Sequence, residues 1–63
     1  MGKVVISIKT DNEAFGISSE DADYEVARIL FKLAYEVKDG DAHGLRTLYD
    51  LNGNVVGKYE ILP

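Results

Sequence analysis

The chain has 63 residues, 11 acids against 7 bases for a net charge of −4, and no cysteine. This length holds one small domain, 1–63, which buries only about 60% of its unfolded surface, and without thiols neither a disulfide nor a thiolate metal site can reinforce it. The negative balance disfavours nucleic acid or an anionic membrane as a direct partner, because phosphates repel it.

The first element is KVVISIK, residues 3–9. Val4, Ile6 and Ile8 alternate with Val5, Ser7 and Lys9, which predicts a strand with Val4, Ile6 and Ile8 on its buried face. Residues 10–20 are polar and small and read as a loop, with Phe15 and Ile17 expected to tuck beneath a neighbouring element.

From Asp21 to Lys38 the period is helical. Ala22, Val26, Ile29, Leu30, Leu33, Ala34 and Val37 share one broad face, and Glu25, Arg28, Lys32 and Glu36 fall opposite. Glu25–Arg28 and Lys32–Glu36 have spacings that favour ion pairs along a helix. Ser18 or Ser19 is the candidate N-cap, and Gly40 stands where a C′ residue belongs.

The last third reads as a hairpin, LRTLYD–LNG–NVVGKYEI. Asp50 and Gly53 suit a type I turn with a glycine bulge, which groups Leu45, Tyr49, Val55, Tyr59 and Ile61 on one face. A two-residue Asn52-Gly53 turn is the alternative and puts Leu48 with Val55, Tyr59 and Ile61. The bulge is preferred because it uses both Asp50 and Gly53. The expected fold class is therefore α+β: a two-layer β-α-β-β domain, a three-stranded mainly antiparallel sheet packed on one amphipathic helix. The first strand can pair with either the second or the third.

Motifs for chemistry are few. His43 is the sole histidine, in the segment DGDAHG beside Asp39 and Asp41, and reads as an exposed loop residue rather than as half of a catalytic pair. DLNGN begins like a calcium loop, but its glycine comes too early and position twelve is Ile61. No glycine-rich phosphate cradle occurs, and the bases are scattered rather than clustered with aromatics. The expectation is a non-enzymatic protein with no cofactor, no catalytic residue and no metal site. No apolar run approaches the ~20 residues of a membrane span, and MGKVVI lacks the apolar core of a secretion signal.

Two features remain. Tyr24, Phe31 and Tyr35 lie on the helix flank; either Phe15 and Ile17 fold over them, or they form an exposed stripe for a partner or for self-association. The second feature is the acidic run Asp11, Glu13, Glu20, Asp21, Asp23 and Glu25, with no Lys or Arg from residue 10 to 27. Glu20, Asp21 and Asp23 suit a helix start, where the dipole favours each by about 0.3–1 kcal/mol. That leaves Asp11, Glu13 and Glu25 without a structural reason, and like charges held together cost stability.

The segments ISIKTDNEAF, EVARIL..LA and LYDLNGNVVGKYEI together resemble small acidic proteins of bacteriophages and mobile elements, several of which are anti-CRISPR inhibitors. The resemblance covers most of the chain, but its motifs are strand, helix and turn. It implies a non-enzymatic inhibitor acting in the cytoplasm of a bacterial host, whose partner is the basic, DNA-binding surface of a CRISPR-Cas effector complex, with a type I effector favoured. The contact residues it implies are Asp11, Glu13, Glu20, Asp21, Asp23, Tyr24 and Glu25, standing in for DNA phosphates. The alternative is a phage or mobile-element accessory protein acting as a homodimer or a protein-binding module, so the chain is expected as a monomer or a homodimer.

Overall fold

The structure, a computed structural model, describes residues 2–40 and 44–63. Strand β1 (Lys3–Ile8) leads into a short 3₁₀ turn (Glu13–Phe15), helix α1 (Ser19–Lys38) and the hairpin strands β2 (Leu45–Tyr49) and β3 (Val55–Leu62). The sheet is antiparallel throughout in the order β1-β3-β2, so the N-terminal strand takes the outer edge beside β3. The domain is α+β, one helix on a three-stranded sheet, as the periodicities indicate.

Local chemistry accounts for the element ends. Ser18 is the N-cap: its hydroxyl oxygen accepts the Asp21 N–H at 3.2 Å. Gly40 follows the last turn at φ +82 and donates its N–H to the Val37 carbonyl, a left-handed closure that suits glycine. In the hairpin, Gly53 N–H bonds the Asp50 carbonyl at 3.0 Å and Asp50 N–H bonds the Asn54 carbonyl at 2.9 Å. With Gly53 at φ +84, this is the type I turn with a glycine bulge.

The faces of the hairpin nevertheless follow neither expected grouping in full. The β2–β3 register shifts after Leu48: Leu48 pairs with Gly57, but Tyr49 pairs with Val55, so Val56 is an extra residue. This second bulge turns Val56 inward and returns Leu48, Tyr59 and Ile61 to one face, leaving Tyr49, Val55 and Leu45 on the outer side. The expected grouping of Leu45, Tyr49, Val55, Tyr59 and Ile61 is thus split by a bulge whose one trace in the sequence is Gly57, an isolated glycine within the strand.

The core consists of Phe15, Ile29, Leu33, Leu48, Val56 and Tyr59, with Ile8, Ala14, Ala22 and Val26 packed against it. Phe15 is fully buried, but Ile17 is fully exposed and does not tuck in as expected. Val4, Ile6 and Ile61 share the helix-facing side of the sheet by register yet stay about half exposed, so the inward face of β1 is covered only at its Ile8 end.

The helix is turned relative to its simplest amphipathic reading. Its inward residues are Ala22, Glu25, Val26, Ile29, Leu33 and Glu36, whereas Leu30, Ala34 and Val37 emerge. The difference is a rotation of roughly 50° on the helical wheel. Glu25 and Glu36, expected on the outer polar face, point toward β2 and the hairpin. There Glu36 pairs with Arg46 rather than with Lys32, and Glu25 pairs with Arg28 as its spacing indicates.

Gly57 marks the tightest approach in the sheet. A Cβ built there would sit 1.7 Å from the Ser7 carbonyl oxygen and 2.7 Å from its carbon, both backbone atoms that cannot swing away. Gly57→Ala is expected to lower the unfolding free energy by about 3 kcal/mol. Gly53→Ala, with open space around it but a left-handed φ, is expected to lose only about 1–2 kcal/mol. Urea denaturation of both variants checks the order, and equal losses would contradict the backbone collision.

Candidate functional site

The hairpin turn gathers a buried polar cluster. The Asp50 carboxylate is only 4% exposed and accepts four N–H bonds. Its Oδ1 takes the backbone N–H groups of Asn52 and Asn54, each at 2.9 Å. Its Oδ2 takes the side-chain amides of Asn12 at 3.1 Å and Asn54 at 3.2 Å. Burial alone would raise the Asp50 pKa; the bonds from Asn54, Asn12 and Asn52 outweigh it and hold the group below its ordinary 3.8.

Glu25 joins the same region from the helix. It is 6% exposed and forms a two-pronged pair with Arg28, Nε to Oε1 at 2.6 Å and Nη2 to Oε2 at 3.0 Å. Its Oε2 also accepts the Leu51 N–H at 2.7 Å, while Arg28 Nη2 donates to the Tyr49 carbonyl at 3.3 Å. The Arg28 bond is the main reason the Glu25 pKa falls below its ordinary 4.5, against a desolvation that works the other way. Glu25 was grouped above with the partner-facing acids. The structure corrects this: its charge is consumed in fastening α1 to the hairpin.

The other five acids behave differently. Asp11, Glu13, Glu20, Asp21 and Asp23 are all exposed, and none enters an ion pair among the described residues. The 3₁₀ turn packs against α1 and places Glu13 near the helix start, where Ser18 sets Glu20 and Asp21 in the first turn. Tyr24 is 80% exposed, and together with Glu20, Asp23 and Ala27 it lines an open depression on the helix. The five acids and Tyr24 therefore all lie at the surface; for Tyr24 this decides between the two alternatives that the sequence leaves open.

Beyond this depression the outward face of α1 is apolar. Phe31 is 71% and Tyr35 66% exposed, and Ala27, Leu30, Phe31 and Ala34 line a second open depression. Phe15 lies on the opposite side of the helix, in the core, so the reading in which Phe15 and Ile17 cover Tyr24, Phe31 and Tyr35 does not hold. The extent of this face escaped the sequence because Leu30, Ala34 and Val37 were assigned to the core. The spacing Ala27, Leu30, Ala34, Val37 beside Tyr24 and Phe31 was the available signal.

Neither area assembles a nucleophile, a base and an orienting group. Among the described residues, no three His, Cys, Asp or Glu side chains are placed to share a metal ion, and no helix is long and apolar enough to cross a membrane. His43 and Asp41, weighed above as neighbours, lie outside the described residues. Comparison of the chain with family models, curated proteins and solved structures finds no match.

The two buried carboxylates make stability depend on acid. Both folded pKa values are depressed, so their contribution is complete above the unfolded values of 4.5 and 3.8 and is lost as pH falls through the folded ones. The thermal midpoint is expected to be nearly flat from about pH 7 to 5 and to drop below about pH 4.5. Glu25→Gln should be less stable by about 1.5–3 kcal/mol at pH 7 and show a shallower acid decline. Parallel pH profiles for the two proteins would contradict this account of Glu25.

Proposed function

We propose that this chain is a non-enzymatic binding protein whose acidic end occupies a basic, phosphate-recognising surface on another protein complex. The carrying observation is the contrast between two sets of carboxylates. Glu25, Glu36 and Asp50 are consumed by internal partners, whereas Asp11, Glu13, Glu20, Asp21 and Asp23 are exposed and unpaired among the described residues. The helix start gives Glu20, Asp21 and Asp23 a reason in folding, but it gives none to Asp11 and Glu13, and holding all five together costs a domain that already carries a net charge of −4. A protein surface that binds DNA carries Lys and Arg arranged for phosphates, and spaced carboxylates can take the phosphates' place.

The resemblance to small acidic phage and mobile-element proteins supplies the class of target: a CRISPR-Cas effector complex, a type I effector first, in the cytoplasm of a bacterial host. In this reading the inhibitor blocks target DNA and contacts no nucleic acid itself. Complementary charge speeds its association and makes binding weaken with salt. Tyr24, exposed beside Glu20 and Asp23, adds the desolvated contact that charge alone lacks.

The test is displacement of labelled target duplex from purified type I effector complex at several salt concentrations. The chain is expected to displace the DNA, less well at high salt. A variant carrying Asp11→Asn, Glu13→Gln, Glu20→Gln, Asp21→Asn and Asp23→Asn, shown folded by circular dichroism, is expected to be weaker by roughly tenfold or more, about 1.4 kcal/mol per tenfold. No displacement by the unaltered chain, or equal displacement by the neutralised one, overturns the reading.

A further inference from the structure

The outward face of α1 has a pattern that the acidic end does not explain. Asp23, Ala27, Leu30, Ala34 and Val37 follow one another at alternating spacings of four and three, the repeat by which one helix seats against another. Ala27 and Ala34 are small and exposed at the middle of the face, where they permit close approach of a second backbone. Leu30 and Phe31 stand between them, and Tyr24 and Tyr35 flank them.

Charge identifies the occupant. The face is acidic at its N-terminal end, at Glu20 and Asp23, and basic at its C-terminal end, at Lys38. An anionic lipid surface is disfavoured, because acids rather than bases border the apolar stripe at one end. A parallel copy would set acid against acid and Lys38 against Lys38. An antiparallel copy sets each acidic end against a basic one.

We propose that two copies of this chain pair through the outward faces of α1, antiparallel about a two-fold axis near Leu30 and Phe31. In this register Ala27 faces the second copy's Ala34, Leu30 faces its Phe31, Tyr24 faces its Val37 and Asp23 faces its Lys38. Each pair occurs twice, as two-fold symmetry requires. Small residues meet small ones, the large side chains pack on one another, and the ends carry opposite charges, so the face is complementary to itself. Asp11, Glu13 and Asp21 lie off this face and remain available. Glu20, Asp23 and Tyr24 belong to both surfaces, so pairing competes with engagement of a basic partner. The pairing does not rest on the proposed function, and failure of DNA displacement leaves it intact.

The test is sedimentation velocity of the full chain over a range of micromolar to millimolar concentrations. A reversible dimer is expected. Phe31→Glu, at an exposed position that should leave folding unchanged by circular dichroism, is expected to weaken the dimer at least tenfold. Asp23→Lys alone and Lys38→Glu alone should each weaken it, and the double variant Asp23→Lys/Lys38→Glu should restore it, since both contacts are then reversed together. A chain that stays monomeric at all concentrations overturns the proposal. So does a dimer indifferent to Phe31→Glu, which would place the contact elsewhere, such as the free edge of β2. A double variant no tighter than the single ones overturns the antiparallel register.

Discussion

Four N–H groups converge on the carboxylate of Asp50, and the rest of the domain is arranged around that convergence. A carboxylate with so little of its surface in water is tolerated only when its lone pairs are occupied. The donors come from different parts of the chain. Asn52 and Asn54 belong to the turn itself, and Asn12 belongs to the segment between β1 and the 3₁₀ turn. One carboxylate therefore shapes the hairpin and ties the N-terminal segment to it. The next residue, Leu51, extends the tie to the helix through its N–H bond to Glu25.

That last bond has consequences for the whole surface. For Glu25 to reach Leu51 and Arg28 to reach the Tyr49 carbonyl, α1 must present its Glu25 side to the hairpin. A helix seated purely by its most apolar face would bury Leu30, Ala34 and Val37. This helix instead buries Glu25, and partly buries Glu36, beside Ile29 and Leu33 and leaves Leu30 and Val37 partly in water. Loss of apolar burial, about 25 cal/mol for each Å² left wet, is offset by charge-assisted hydrogen bonds of about 1.5–3 kcal/mol each. Rotating the helix therefore creates the outward apolar face; that face is the other side of the same ion pair.

The surface that results has two regions of different chemistry. The acidic end holds carboxylates that enter no ion pair among the described residues, and charges of this kind act at a distance, through rate and salt dependence. The apolar helix face acts only on contact, through area and shape. The two regions meet at Glu20, Asp23 and Tyr24. A domain of this size has little interior in which to build an enclosed site, so most of its chemically distinct groups stand at the surface.

Local patterns in the sequence determined the elements themselves. Alternation in KVVISIK, the Ser18 cap, the helical period through Lys38, Gly40, and the Asp50–Gly53 turn all act over a few residues, and each forms as its neighbours dictate. The run of acids from Asp11 to Asp23 without a Lys or Arg among them was legible in the same way, whereas the sequence left the exposure of Tyr24 open. Tertiary structure alone decided the place of β1 beside β3, the inward turn of Val56 and the roll of α1. Each of these depends on groups far apart in sequence: Lys9 N–H on the Val56 carbonyl, Asn12 on Asp50, Glu25 on Leu51. Glu25 and Asp23, two residues apart and equally acidic, have opposite fates because only Glu25 faces a hairpin amide that needs an acceptor. The Glu25–Arg28 pair was legible in the helical spacing, but the Leu51 bond that seats Glu25 against the hairpin joins residues 26 apart, and helical period contains no record of it.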